Sequence, residues 1–134
     1  MTAPPRAAAA PDRLGPAATA ILAWIVPGGG HVVHGQARKG AIFFVVLVGM
    51  FGIGLASGGR LFPFQIADVL VFLAAGAEWL AGLPRLIGAL AGAGRGDVVA
   101  ATYEYGNAFL IAGGLLNLLV ILDAVDLAAG RKAR

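Results

Sequence analysis

The sequence has no cysteine and one serine, Ser57. The first absence excludes disulfide frameworks, thiolate metal sites, iron–sulfur ligation and cysteine nucleophiles. The second leaves no Ser-His-Asp set to assemble, since Ser57 falls at the end of an apolar run. Charge is also scarce, at 13% of residues against about 25% in soluble domains. Ten Lys and Arg and seven Asp and Glu cover the surface of a 134-residue soluble domain poorly. The cations stand singly or in pairs at the ends of apolar runs, with no basic stripe and no interleaved aromatics. The net charge of +3 therefore reads as membrane topology and headgroup contact, and nucleic acid is excluded as a partner.

What the chain does have is apolar residues, 59% of the total, and 21 glycines. Both suit a bilayer, where glycine permits close backbone approach between helices. Residues 1–16 hold four of the seven prolines and read as a disordered tail. From Leu14 to Ala37 no Asp, Glu, Lys or Arg occurs, a run of spanning length interrupted by Pro27-Gly28-Gly29-Gly30. This first segment, about 17–35, is either a kinked span or a re-entrant half-helix. A second apolar segment follows at about 40–58. A third is expected at 66–83, carrying Asp68 and Glu78, with an interfacial helix at 85–92 after Pro84. A fourth is expected at 105–127, and residues 131–134 form a basic tail. The reading is all-α, an integral membrane helical bundle of residues 17–130 with four hydrophobic segments. Four full spans put both termini on one side with Arg6, Arg13, Arg60, Arg131, Lys132 and Arg134, and leave Arg38, Lys39, Arg85 and Arg95 opposite. The positive-inside bias then favours cytoplasmic termini.

Chemistry-bearing residues are few. Gly30 and Gly35 have phosphate-loop spacing, but Gln36-Ala37 stands where Lys-Ser/Thr is required, so no nucleotide or other cofactor is expected. His31 and His34, three apart, match a metal-ligand spacing without a third ligand nearby, and no metal is expected. His31 is instead read as a cap for carbonyls freed at Pro27. Glu78 is the most informative residue, because a carboxylate inside an apolar run faces a bundle interior or a water path. It serves either a proton or cation site, or a buried hydrogen bond to His31, Asn117 or an inward-reaching cation. Asp68, at the start of the same helix, suits the helix dipole.

At about 100° per residue, Gly106, Asn107, Gly113, Gly114 and Asn117 share one face of the fourth segment. Ala108, Phe109, Leu115, Leu116, Leu119 and Leu122 lie opposite. Small and amide residues belong at helix contacts and the leucines at lipid. The segment runs into Asp123 and Asp126 before the basic tail, and Asp123 joins the candidate polar residues.

Two stretches together carry a resemblance. One is Ala23-Trp24-Ile25-Val26-Pro27-Gly28-Gly29-Gly30-His31 with Gly35 and Lys39-Gly40, and the other runs from Thr102-Tyr103-Glu104-Tyr105-Gly106 through Gly113-Gly114-Leu115-Leu116-Asn117 to Asp123-Ala124-Val125-Asp126. The pair resembles an uncharacterised family of small bacterial polytopic membrane proteins, a domain of unknown function. More distantly, the Gly-x-Gly-His part resembles the two-span TM-two membrane domain. The resemblance implies a bacterial inner-membrane location and no catalytic residues. The expected role is a non-enzymatic structural or accessory membrane protein, working by self-association or within a larger complex. The alternative is a small transporter or channel with Glu78 and His31 on a polar path.

Overall fold

The computed structural model describes residues 14–131, and the expected N-terminal tail before Leu14 and the basic residues after Arg131 lie outside them. Six helices form among the described residues: α1 Pro16–Ile25, α2 Gly29–Val33, α3 Ala37–Ala56, α4 Val69–Trp79, α5 Leu83–Leu90 and α6 Tyr103–Ala128. The fold is all-helical, and the one extended pairing is an isolated antiparallel bridge between Arg60 and Arg95.

Among the described residues only α3, with 20 residues, and α6, with 26, are long and apolar enough alone to cross a membrane. They extend about 30 and 39 Å at about 1.5 Å per residue. They run antiparallel. Lys39 at the start of α3 bonds Asp123 near the end of α6, while Thr102 Oγ1 donates to the Ser57 carbonyl at the other end. Near that second end Gly54 faces Gly106, and a Cβ on Gly54 would sit 2.7 Å from Leu110 and 2.9 Å from the Gly106 carbonyl. Glycine is what lets the two backbones meet there.

Four hydrophobic segments were expected, the first as a kinked span or a re-entrant half-helix, and two helices of spanning length form among the described residues, or three if the bent pair α4–α5 is one span. The missing lengths have local causes. Val26 precedes a proline, which disfavours helical backbone, and it is extended at φ −115° and ψ 106°. Gly28 then takes a left-handed φ of 81°. So α1 stops at ten residues, about 15 Å. In the third segment α4 starts at Val69, not 66, because the Asp68 carboxylate caps it by accepting from the Leu70 and Val71 N–H groups. It ends at Trp79, Gly82 turns at a φ of 75°, and Pro84 opens α5. The two axes differ by 109°.

Both broken pairs fold back. In a continuous helix Thr19 and His34 would stand about 22 Å apart. Their side chains are 2.8 Å apart. A Cβ on Gly30 would lie 3.0 Å from Ala23 and 3.2 Å from Thr19, so α2 returns along α1. The excursion 61–94 also ends where it began. Leu61 N donates to the Gly94 carbonyl at 2.8 Å and Asp97 N to the Gly58 carbonyl at 2.9 Å.

The two pairs meet beside the middle of α6. Trp24 Nε1 donates to the Trp79 carbonyl at 2.8 Å, and a Cβ on Gly82 would collide with the Trp24 carbonyl. Alanines are prominent among the buried apolar residues, with Ala23, Ala75, Ala77, Ala81 and Ala124 beside Leu47, Phe51, Leu110, Val120, Ile121 and Leu127. Many other large side chains point outward, with Val45 68%, Leu70 78% and Leu119 60% exposed. This reversal of the soluble pattern is how helices pack in lipid.

Candidate functional site

Buried polar residues gather in two clusters, one toward each end of α6. The first joins α1, α2, α3 and α6. His31, wholly buried, places Nε2 2.7 Å from Asp123 Oδ2. Lys39 Nζ donates to the same oxygen at 2.8 Å. The carboxylate accepts, so the His31 ring carries its proton on Nε2. Phe43 meets the His31 ring edge-on at 5.0 Å and lies 5.7 Å from the Lys39 ammonium. Thr19 Oγ1 donates to the Leu14 carbonyl at 3.3 Å and meets His34 Nε2 at 2.8 Å. The two histidines therefore turn to different partners. No group of three metal-ligating side chains forms among the described residues.

His31 does not cap carbonyls freed at Pro27, as its sequence position suggested. Its Nε2 is taken by Asp123, and the Val26 carbonyl accepts instead from Gly29 N at 2.8 Å.

The second cluster surrounds Glu78, also wholly buried. Its Oε2 accepts from Phe62 N–H at 2.8 Å, and Arg85 donates to the Phe62 carbonyl at 3.0 Å. Arg85 stacks over Trp79 at 4.3 Å. Glu78 and Arg85 thus hold the backbone of Phe62 between them, and Glu78 Oε1 has no hydrogen-bond partner. Arg60 N donates to Asn107 Oδ1 at 2.8 Å, tying the same loop to α6. His31 is not a partner of Glu78. The α-carbon of Glu78 faces Gly114, and Asp123 lies nine residues further along α6, about 13 Å.

Between the clusters, Gly114 and Asn117 receive the C-terminal turn of α4. A Cβ on Gly114 would collide with the Ala77 carbonyl. Asn117 Nδ2 donates to the Leu80 carbonyl at 2.8 Å. Gly113 is buried too, with Met50 3.7 Å from the place of its Cβ. Gly106, Asn107, Gly113, Gly114 and Asn117 are all buried, while Phe109, Leu115, Leu116, Leu119 and Leu122 are at least 37% exposed. The space bounded by Pro27, Phe51, Pro84, Gly113 and Asn117 is too small for a water molecule.

Several members of these clusters carry no local signal. Arg85, Lys39 and Trp24 look like segment-end residues in sequence, and their partners are 23, 84 and 55 residues away. Thr19 is the exception, because a lone hydroxyl in an apolar run announces a buried hydrogen bond.

Fold and clusters together define a helical protein with two, or up to three, helices among the described residues long and apolar enough to span a membrane. Residues 18–133 match the model of a family of unknown function (DUF6677), and the chain belongs to that family. No curated protein and no solved structure matches it. The family match accords with the expectation of an uncharacterised family, a domain of unknown function, and nothing in it supports a bacterial origin or the TM-two likeness.

Proposed function

We propose that the protein is an integral membrane protein of structural or accessory type, with two spans and two re-entrant helix pairs. In this reading α3 and α6 cross the bilayer as a hairpin. The pair α1–α2 enters from the Asp123 end and α4–α5 from the Arg60 end, and they abut at mid-depth. Broken backbone inside a membrane must be satisfied by protein, water or ligand. The observation that carries the reading is that protein does it here, through Trp24 to Trp79 O and Asn117 to Leu80 O. A conducting path would need room between the clusters, and the space bounded by Pro27, Phe51, Pro84, Gly113 and Asn117 is too small to hold a water molecule.

Charge supports this topology. In this topology the sequence before α1 and after α6 adds Arg6, Arg13, Lys132 and Arg134 to Arg38, Lys39 and Arg131 on one side of the bilayer in the charge count, against Arg60, Arg85 and Arg95 on the other. The positive-inside bias is stronger than for four spans, and it favours cytoplasmic termini in a bacterial inner membrane. Association through helix packing is supported by α3, whose outward Gly49 and Gly52 have open space before them.

The test is reconstitution into liposomes. Proton and cation flux should stay at the level of empty vesicles. Flux above that level, abolished by Glu78→Gln, would overturn the accessory reading and install the transport alternative.

A further inference from the structure

A cleft of about 300 Å³ opens at the Arg60 end, between residues 61–63 and 92–95, and Arg85, Arg95, Ala89 and Gly94 line it. Arg85 is only 7% exposed, and its guanidinium makes one hydrogen bond within the chain, to Phe62 O. Its Nε has no partner. Arg95 stands opposite Arg60 in the isolated bridge, a like-charged cross-strand pair that is unfavourable without a counter-charge. Glu78 is buried against Phe62 N–H and its charge acts on Arg85 and Arg60 together. Asp97 accepts from Val99 N at 3.3 Å in its own turn, and no ion pair forms with Arg95 among the described residues. Beside Ala89, the α5 residues Leu86, Ile87 and Leu90 are 42%, 56% and 80% exposed.

We propose that this cleft binds a phosphate-class oxyanion, held by Arg85 and Arg95. Guanidinium forks suit such an anion, which offers several acceptor oxygens in one plane or face. The outward apolar residues of α5 give acyl chains a surface next to the charge, so an acidic phospholipid headgroup is the favoured source and free phosphate the other. The site rests on the geometry of this end alone and stands whether or not the protein conducts.

Thermal unfolding tests it in two arms. One compares nanodiscs of phosphatidylcholine with and without phosphatidylglycerol. The other compares inorganic phosphate with chloride at matched ionic strength in detergent. Stabilisation in the first arm identifies a lipid headgroup, and stabilisation in the second alone identifies a soluble oxyanion. Arg95→Gln, at an exposed position, should weaken binding roughly tenfold, as expected for one charge-assisted hydrogen bond. Arg85→Lys should weaken it too, and Arg38→Gln at the opposite end should leave it unchanged. No stabilisation in either arm would overturn the proposal. So would stabilisation that survives Arg95→Gln, or that Arg38→Gln reduces equally.

Discussion

His31 Nε2 and Asp123 Oδ2 lie 2.7 Å apart across 92 residues of sequence. That bond fastens the fold-back α1–α2 pair to α6, and Lys39 brings α3 to the same oxygen. Asp123→Asn keeps an acceptor for His31 and loses the charge for Lys39, whereas Asp123→Leu removes both. The leucine variant should lose about 1.5–3 kcal/mol and the asparagine variant less. Unfolding in detergent, followed by circular dichroism, checks the order. Equal stability of the leucine variant would show that the pair does not hold α2 in place.

Gly114 is set by contact with the Ala77 carbonyl, so Gly114→Ala should cost about 1–3 kcal/mol through overpacking. Gly49→Ala, with nothing within 4 Å of the added methyl, should leave the monomer's stability unchanged. The two variants differ by one methyl each, and parallel unfolding curves give the comparison directly.

Asn117→Leu removes the donor to Leu80 O at the end of α4. The expected loss is roughly 1–2 kcal/mol, the range for interhelical hydrogen bonds in membranes. Hydrogen exchange of the amides from Leu80 to Leu83 should speed up with it. Unchanged exchange there would remove Asn117 from the account of the break.

Glu78→Gln keeps an oxygen for Phe62 N–H, and Glu78→Ala keeps none. The structural role expects the glutamine variant to fold and the alanine variant to lose markedly more stability. Thermal unfolding of both proteins in the same detergent makes the measurement. A glutamine variant as unstable as the alanine variant would mean that the charge, not the hydrogen bond, holds the Phe62 loop.

Much of the fold was legible because membrane helices announce themselves by hydropathy. The runs containing Ala41 to Ser57 and Tyr105 to Leu122 became α3 and α6. The inward face of α6 followed from 3.6-residue periodicity applied to Gly106, Asn107, Gly113, Gly114 and Asn117. The break at Pro27 was also visible, because proline and the residue before it disfavour helix. The direction taken after a break was not. Whether chain leaving Gly28 continues or returns depends on Thr19 meeting His34 and on Gly30 fitting against Ala23, contacts without a local pattern. The third segment is not one straight helix for a related reason. Its hydropathy is continuous, but Asp68 delays the helix and Gly82 turns it. Glu78 was legible as a buried carboxylate, while its partners Phe62 and Arg85 depend on the return of 61–94 to its starting point.

Cysteine accessibility tests the fold-back topology most directly, since the chain has no native cysteine. Single cysteines at Gly15, Ala37 and Val98 occupy exposed positions. A membrane-impermeant thiol reagent applied to sealed vesicles should label Gly15→Cys and Ala37→Cys from one side and Val98→Cys from the other. Labelling of Gly15→Cys and Ala37→Cys from opposite sides would make the first segment a full span and contradict the re-entrant architecture.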